Sequence, residues 1–261
     1  MPNIHSQGAR NDASGDPILD APKDESVTQP WERMDWDAWT PRGAYGRFGK
    51  RALDLALLLG TAPLTLPLLG LVGVLSGRAH RTNGGALFRQ DRVGLRGRTF
   101  RLVKFRTMAP SLEEGGPMQV TPLGRWLRNT HLDELPQIYH VLRGEMSFIG
   151  PRPEMVEIEA WAAQEVPAFS RRLSMRPGIT GLAQITQGYT DRDKKAYRDK
   201  LRINDSYCAH LSLHRDLWIL MRTVFWMARA RGWRRAGQST ELRYIGCAAE
   251  EQRATEERKA A

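Results

Sequence analysis

An uncharged apolar run of 23 residues, from Leu55 to Gly77, constrains the fold of this chain more than any other feature. About 20 apolar residues in a helix suffice to cross the hydrocarbon core of a bilayer, so the run predicts a membrane helix. Pro63 and Pro67 lie inside it, and a proline in a helix interior removes a hydrogen bond and favours a kink. A buried core helix is the alternative interpretation.

Basic residues flank this run on both sides. Since positively charged residues stay on the cytoplasmic side of a membrane, two basic flanks favour a helix that enters and leaves on the same side. The sequence therefore predicts a re-entrant helix that turns at Pro63, rather than a helix that spans the bilayer. The flanking basic residues are Arg42, Arg47, Lys50 and Arg51 before the run, and Arg78, Arg81 and Arg89 after it.

The net charge of +10 indicates an anionic partner, such as nucleic acid, a phosphorylated small molecule or an anionic lipid. The charge is uneven, because residues 1–40 carry eight acidic and three basic side chains. This polar leader has few aliphatic residues and is predicted to be mostly disordered. Its tryptophans are predicted either to lie at the lipid headgroup level or to pack onto the domain. They are Trp31, Trp36 and Trp39.

Downstream of the apolar run, the hydrophobic pattern predicts one β-hairpin and several helices. Residues 86–106 give the hairpin, with glycines at its turn and basic residues interleaved with aromatic ones. Such interleaving also fits nucleic-acid binding, but no recognised nucleic-acid motif accompanies it. The last predicted helix has a broad apolar face, which packs on the core or lies in a lipid interface. Helices are predicted at 122–130, 135–142, 154–170 and 204–230.

Asp133 and Glu134 form a pair of adjacent carboxylates just before Pro136, with arginines on both sides. This pattern suits an anionic substrate such as a diphosphate, because one carboxylate can attack or abstract a proton while the other holds a metal. By itself the pair also fits a plain helix N-terminus, where negative charge is favoured. The nearby arginines are Arg125, Arg128, Arg143 and Arg152.

Two loops strengthen the catalytic interpretation. The rigid turn at 150–153 presents Arg152 between two prolines. The loop at 176–184 offers backbone N–H groups, the hydroxyl of Thr180 and the guanidinium of Arg176, which together can cradle a phosphate. A tight turn between helices is the alternative for this second loop.

Six blocks of sequence, in order, resemble the bacterial sugar transferase family, the monotopic polyprenyl-phosphate phosphoglycosyl transferases. The resemblance covers about residues 47–232. Four blocks are Lys50–Leu55, Phe88–Gly94, Lys104–Met108 and the segment around Asp133 and Glu134; the other two are the loops at 150–153 and 176–181.

This resemblance implies a mostly helical α+β fold with a small β-hairpin, a re-entrant membrane helix and interfacial amphipathic helices. It divides the chain into four parts. These are an acidic leader at 1–45, a re-entrant membrane helix region at 46–80, a catalytic domain at 81–233 and a charged C-terminal tail at 234–261.

The resemblance also implies a reaction, in which a phosphosugar passes from a UDP-sugar to a polyprenyl phosphate such as undecaprenyl phosphate, with release of UMP. A covalent aspartyl-phosphosugar is the expected intermediate and Mg²⁺ the expected cofactor. The step would begin exopolysaccharide, capsule, O-antigen or glycoconjugate synthesis at the cytoplasmic face of the bacterial inner membrane. Later glycosyltransferases of the pathway are further expected partners, and nucleic acid is not.

Matched to the family by position, Asp133 corresponds to the nucleophile and Glu134 to its magnesium-binding partner. Arg128 corresponds to an arginine near the phosphate site, Arg152 to one in the nucleotide-sugar pocket, and Pro63 to the helix-breaking proline. The remaining residues predicted to bind substrate are Gln137, Arg176 and Thr180.

The chain departs from the family pattern at His131, where Ser or Thr is common and a weaker helix cap is expected. Two competing functions belong to other classes. One is a basic module that binds nucleic acid or anionic membranes without catalysis. The other is an inactive family member that serves as an assembly scaffold, against which the intact carboxylate pair argues.

Overall fold

The computed structural model of the chain describes residues 29–41, 43–81, 84–110, 118–188, 190 and 192–227. Residues 1–28 of the predicted leader and the predicted tail at 234–261 lie outside the described residues. Helices predominate in the described part, and its strands form three two-stranded sheets, which confirms the predicted α+β class.

The elements follow one another with short connections. The helices are α1 (Lys50–Ala79), α2 (Pro122–Thr130), α3 (Ile138–Arg143), α4 (Val156–Glu165), α5 (Leu182–Thr186), α6 (Lys194–Ala209) and α7 (Leu213–Met227). The strands are β1 (Leu87–Val93), β2 (Thr99–Phe105), β3 (Met108–Ala109), β4 (Gln119–Val120), β5 (Ser147–Ile149) and β6 (Gly178–Thr180). Short 3₁₀ helices occur at Leu95–Gly97, Leu132–Gln137 and Phe169–Ser174.

Helix α1 is continuous through Pro63 and Pro67, and a π-helical turn at Tyr45–Gly49 leads into it. The break predicted at Pro63 therefore does not end the helix. A proline removes one helical hydrogen bond, at a cost of about 3 kcal/mol, but it does not prevent its neighbours from keeping theirs. Nearby, the Thr61 hydroxyl donates to the Leu57 carbonyl at 2.7 Å.

The middle of α1 is not a core helix. Leu59, Leu64 and Leu66 are between 58% and 73% exposed. Tyr45–Ala79 is long and apolar enough to cross a membrane, and only 6% of its most apolar 18-residue window is buried in the protein. A large exposed apolar surface of this kind marks a contact with lipid or with another protein, so the core-helix alternative is wrong.

The N-terminal end of α1 is fixed to the rest of the protein by a buried polar network. The Lys50 ammonium lies 2.9 Å from a carboxylate oxygen of Asp216 on α7. The Asp216 side chain is fully buried. Tyr45 and Tyr207 each donate a hydroxyl hydrogen bond of 2.6 Å to the same carboxylate. Because three donors satisfy Asp216, its burial is compensated and the contact is specific.

The C-terminal end of α1 is fixed to the same body. Val72 is buried in one cluster with Phe105 of β2 and Leu127 of α2. The hydroxyl of Ser76, which is also fully buried, donates to the carbonyl of Ala86 at 3.1 Å. Both ends of the apolar helix therefore contact one folded unit, while the leucines Leu59, Leu64 and Leu66 in its middle are exposed.

The predicted hairpin is confirmed. Strands β1 and β2 pair antiparallel, with Leu87 opposite Phe105 and Val93 opposite Thr99. Leu102 and Phe105 point into the core, and the Gly94–Gly97 region makes the turn as predicted. The short strands β5 and β6 pair in parallel, which joins two segments far apart in the sequence.

The helix predicted at 154–170, with its end near Pro167, is α4, which ends at Glu165 because Val166 is extended and Pro167 follows it. The helix predicted at 204–230 is two helices, because His210 leaves the helical conformation between α6 and α7. By contrast, the helix predicted at 122–130 has the observed bounds of α2.

The tryptophans of the leader do not share one environment. Trp31 is 3% exposed and packs with Val93 and Leu173, so for this residue the packing interpretation is confirmed. Its indole covers the hairpin turn at Gly97, where a Cβ atom would lie 2.3 Å from the ring. Trp39 is 42% exposed and lies against the guanidinium of Arg171, 4.0 Å from the ring centre.

Candidate active site

The carboxylate pair lies on the 3₁₀ helix at Leu132–Gln137, between α2 and α3. Thr121 caps α2 by accepting a hydrogen bond from the Gly124 amide, and the helix ends where His131 adopts a left-handed conformation (φ 58°). The helix predicted at 135–142 therefore starts late, since α3 begins at Ile138 after the 3₁₀ segment that contains Pro136.

His131 makes no side-chain cap, which agrees with the weaker cap expected from its sequence. Its ring instead stacks on Trp226 of α7, with centroids 6.2 Å apart and planes 19° apart. Burial lowers the pKa of His131, against the opposing charge of Glu134, and this favours the neutral imidazole. The stack joins the end of α7 to the segment that carries the carboxylates.

Asp133 and Glu134 are both buried, at 7% and 8% exposure. The guanidinium of Arg152 donates to Glu134 Oε1 at 3.0 Å. Buried carboxylates are costly unless they are paired, so this contact identifies Arg152 as the direct partner of Glu134. The structure thus brings together three of the residues that the sequence predicted to form a site.

Buried contacts fix the backbone of the turn that presents Arg152. Arg172 donates to the Arg152 carbonyl at 2.8 Å and forms a fully buried ion pair with Glu159. A Cβ atom on Gly181 would lie 2.0 Å from the Gly150 carbonyl oxygen, so only glycine permits this backbone contact. The position of Arg152 is consequently set by buried groups on three separate segments.

Arg128 belongs to the same site. Its Nε donates to the hydroxyl of Thr107 at 2.9 Å, and Thr107 is buried just after β2. The positive charge of Arg128 acts to lower the pKa of Asp133. Sequence reasoning placed this residue near a phosphate, and the structure places it beside the carboxylates.

Lys104 is a further cation of the site that sequence reasoning did not assign. It lies on β2 with its ammonium 5.2 Å from the centre of the Phe88 ring. Burial lowers its pKa, and the charges of Asp133 and Glu134 act in the opposite direction. A charge that is partly buried in the folded protein needs an anionic partner, and the two carboxylates supply it.

The two carboxylates differ in their protonation. Burial, and then the charge of Glu134, raises the pKa of Asp133 to about 7, against the effects of Lys104, Arg152 and Arg128. Burial would also raise the pKa of Glu134, but Arg152 outweighs it and the net shift is downward. Glu134 is the charged member of the pair and Asp133 is close to its titration point.

The loop at 176–184 has a structural role in addition to any contact with substrate. Arg176 Nε donates to the Gly144 carbonyl at 2.9 Å, and the Thr180 hydroxyl bonds to that of Thr223 at 2.7 Å. The amide of Gly178 donates to the Pro151 carbonyl at 2.9 Å. The Gly178 amide thus supports the turn that presents Arg152, while the side chains of Arg176 and Thr180 make contacts elsewhere in the protein.

Gln137 ends the 3₁₀ helix of the carboxylate pair and is 2% exposed. It lies three residues after Glu134 on the same 3₁₀ helix. Its predicted role in substrate binding remains a prediction.

Asp133 and Glu134 fit a magnesium ion whose other ligands come from the substrate. Among the described residues there is no group of three His, Cys, Asp or Glu side chains that could enclose a metal ion. Magnesium is commonly held by one or two carboxylates together with substrate phosphates. Asp133 and Glu134 offer oxygen ligands of this kind, so the residues present fit a magnesium ion shared with a substrate.

Comparison with known proteins decides the family. The model of the family described as "Bacterial sugar transferase" matches residues 45–230, well over half of the chain. The chain belongs to the bacterial sugar transferase family. The suspected resemblance is thereby confirmed, and the match begins just before α1 and ends just after α7.

Curated relatives in this family carry names that state their reactions. A UDP-glucose:undecaprenyl-phosphate glucose-1-phosphate transferase of Caulobacter vibrioides is 39% identical over 67% of this chain and 68% of its own length. A UDP-N-acetylgalactosamine-undecaprenyl-phosphate N-acetylgalactosaminephosphotransferase of Aeromonas hydrophila is 36% identical, over 68% of this chain and 43% of that protein.

A third relative, the galactosyl transferase CpsE of Streptococcus agalactiae, is 36% identical over 67% of this chain and 41% of its own length. The chain therefore spans less than half of two of these relatives and about two thirds of the Caulobacter protein. The three names differ in the sugar, so the family relationship alone does not select one.

Proposed function

We propose that this protein transfers a phosphosugar from a UDP-sugar to a polyprenyl phosphate, with undecaprenyl phosphate as the acceptor and UMP as the leaving group. The observation that carries the proposal is a pair of adjacent buried carboxylates, Asp133 and Glu134, with Arg152 bonded to Glu134 and the charges of Lys104 and Arg128 acting on Asp133. Relatives that act on undecaprenyl phosphate support the same reaction class. A module that only binds polyanions has no use for two buried carboxylates.

The chemistry begins with Asp133. Its carboxylate oxygen attacks the phosphorus that bears the sugar, the bond from that phosphorus to UMP breaks, and an aspartyl-phosphosugar forms. An oxygen of the polyprenyl phosphate then attacks the same phosphorus, releases Asp133 and forms the polyprenyl-diphosphate sugar. Dividing the transfer into two displacements allows the aqueous donor and the lipid acceptor to bind in turn.

Cations are essential to this mechanism, because a carboxylate and a diphosphate repel each other. Arg152 donates to Glu134 at 3.0 Å, and the positive charges of Lys104 and Arg128 act to lower the pKa of Asp133. These fixed charges stabilise the charge that develops on the transferring phosphoryl group. Magnesium, held by Glu134 and substrate phosphates, would supply further charge neutralisation.

The overall reaction is tested by UMP release. Purified protein is incubated with polyprenyl phosphate, magnesium and a panel of UDP-sugars that includes UDP-glucose, UDP-galactose and UDP-N-acetylgalactosamine. At least one donor should give UMP together with a polyprenyl-diphosphate sugar. Absence of UMP with all donors, from protein that is shown to be folded, would contradict the proposal.

The pH dependence follows from the pKa of Asp133. Since attack needs the ionised carboxylate and burial raises its pKa to about 7, kcat/KM for UMP release should fall as the pH decreases through 7. Below the midpoint the loss should be about tenfold per pH unit, with a plateau above about pH 8. The measurement is initial rates from pH 5.5 to 8.5 at constant ionic strength. A flat profile down to pH 5.5 would show that Asp133 titrates much lower.

We further propose that α1 enters one leaflet of the bacterial inner membrane and returns to the cytoplasmic side. The supporting observation is that both of its ends contact one folded unit, through Lys50 and through Ser76, while Leu59 and Leu64 project outward. A helix of 30 residues is about 45 Å long, so a straight span would place its ends on opposite sides. Cysteines at positions 45 and 85 should therefore react with an impermeant thiol reagent from the same side.

A further inference from the structure

A cavity of about 350 Å³ lies where the leader, the start of α1 and the hairpin turn meet. Its walls come from the leader, the start of α1, the hairpin turn and the segment before β6, and are formed by Thr40, Pro41, Gly46, Arg47, Lys50, Asp54, Leu95, Arg96, Arg98, Ser147, Ser174, Met175, Arg176 and Leu211. Asp133, Glu134 and the cations around them do not line it, so it is distinct from the candidate active site. The basic side chains that line it are Arg47, Lys50, Arg96, Arg98 and Arg176.

Two of these five cations are already paired. Lys50 lies 2.9 Å from a carboxylate oxygen of Asp216, and Arg96 lies 3.0 Å from one of Asp37. The pair of Arg96 with Asp37 is exposed and therefore weak. Lys50 is neutralised, whereas Arg96 remains available to a stronger anionic partner.

The remaining three arginines, Arg47, Arg98 and Arg176, have no carboxylate at ion-pair distance within the described part of the chain. Arg47 and Arg98 are exposed, and the Arg176 guanidinium donates a hydrogen bond to the Gly144 carbonyl. Asp54 is the acidic residue of the cavity wall, but its Oδ1 accepts from the Ser147 hydroxyl and the Phe148 amide. The cavity therefore has an excess of guanidinium groups.

The backbone of the hairpin turn supports this arrangement. Arg96 adopts a left-handed conformation (φ 54°), which is unusual for a residue with a side chain and is retained where surrounding contacts compensate its cost. Trp31 closes over Gly97 in the same turn. The turn is thus fixed in a conformation that brings Arg96 and Arg98 to the cavity wall.

The leader completes the cavity. Thr40 and Pro41 form part of its wall, and both precede the segment that matches the family, which begins at residue 45. The Trp39 carbonyl accepts a hydrogen bond from Ser174 at 3.0 Å, which fixes the leader on the opposite wall. The site is consequently built in part from residues that the family match does not include.

We propose that this cavity binds a phosphate-bearing anion, and that the headgroup phosphate of an anionic phospholipid is its main source. Guanidinium groups bind phosphate oxygens through paired, charge-assisted hydrogen bonds. Arg47 lies just before the apolar run that begins at Leu55, and basic residues at the end of a membrane helix lie at headgroup depth. This inference concerns a second site and does not depend on transferase activity.

The test compares three soluble probes with the full-length protein in detergent. Short-chain phosphatidylglycerol, short-chain phosphatidylcholine and inorganic pyrophosphate are titrated, and binding is followed by intrinsic tryptophan fluorescence. The double variant Arg47→Gln/Arg98→Gln is the probe of the cavity. The matched control is Arg198→Gln/Arg202→Gln, which removes the same charge from exposed positions on α6.

We expect phosphatidylglycerol to bind more tightly than phosphatidylcholine. In the cavity variant its affinity should fall roughly 30-fold, the factor that two basic side chains contribute near an anionic bilayer. In the control variant it should stay within about twofold, as for distant exposed charges. Because the active site also binds diphosphates, only the part of the binding that depends on Arg47 and Arg98 is attributed to the cavity.

Each outcome decides between sources or against the site. If pyrophosphate alone shows binding that depends on Arg47 and Arg98, the phosphate site stands and a free phosphate compound replaces the lipid as its source. An equal loss in both double variants would reduce the effect to general surface charge and overturn the proposal. Phosphatidylglycerol and pyrophosphate affinities unchanged in the cavity variant would overturn it as well.

Discussion

Replacement of Asp133 by Asn is expected to reduce UMP release by roughly 10³-fold or more, the scale of loss when a nucleophile is removed. The amide is close in shape to the carboxylate but has no anionic oxygen with which to attack phosphorus. The variant should also lose the partial reaction with UDP-sugar alone. The measurement is a mass increase of one phosphosugar on wild-type protein without acceptor, mapped to Asp133 and absent from the variant.

The same variant should be at least as stable as the wild type at pH 8. The pKa of Asp133 is raised in the folded protein, so the ionised carboxylate disfavours folding, and this penalty is present in full above pH 7. Asn removes it, and the thermal midpoint should rise by a few degrees. Asp91→Asn, at an exposed ion pair with Arg101, is the matched control that should keep full activity. An active Asp133→Asn protein, or transfer without an adduct, would rule out the covalent mechanism.

Replacement of Glu134 by Gln is expected to lower UMP release by about 100-fold or more, the scale of loss when a group that stabilises charge is removed. Glu134 is the carboxylate that stays ionised, since the charge of Arg152 outweighs its burial. Glutamine keeps the length of the side chain and an oxygen for Arg152, but it loses the charge that would hold magnesium. The rate should also become less sensitive to magnesium concentration.

The control for this variant is Glu165→Gln, whose carboxylate is paired with Lys194 at the surface. That change should leave the rate within about twofold, because exposed ion pairs contribute little. Circular dichroism and thermal unfolding establish that Glu134→Gln is folded. Full turnover of wild-type protein in EDTA would remove the role proposed for the metal, whereas full activity of Glu134→Gln would remove the role proposed for the carboxylate.

The centre of the site could be predicted from the sequence because its residues lie in short, distinctive segments. Asp133 and Glu134 are adjacent, and Arg152 lies in a turn between two prolines. The apolar run identified α1 for the same reason. Each of these signals lies within a short stretch of sequence, so a single sequence is enough to recognise it.

The rest depends on contacts between distant segments. Lys104 joins the site only because β2 packs beside the 3₁₀ helix, and the strand itself reads as an ordinary hairpin. Arg176 and Thr180 were assigned to phosphate on the chemistry of their side chains, whereas in the fold Arg176 donates to the Gly144 carbonyl and Thr180, on the strand β6 that pairs with β5, bonds to Thr223. Parallel pairing joins remote segments and leaves no local pattern.

The fate of the leader tryptophans shows the same limit on a smaller scale. Trp31 and Trp39 lie in the same short, polar segment of the sequence. Trp31 is buried because Gly97 leaves room for its ring, whereas Trp39 is exposed. The fit at Gly97 is a property of two surfaces that are 66 residues apart in the chain. Hydrophobicity alone predicts burial and does not select which aromatic residue is buried.

The attachment of α1 at both ends has a consequence for how substrates meet. A domain joined to a membrane through one flexible linker samples many heights and orientations, and its effective concentration at the surface depends on the length of that linker. Here Lys50 and Ser76 fix the helix to the body at two points, so the proposed membrane insertion would hold Asp133 at one distance from the lipid. In the proposed reaction the acceptor then needs only to diffuse laterally, and its encounter with Asp133 becomes a two-dimensional search at constant depth.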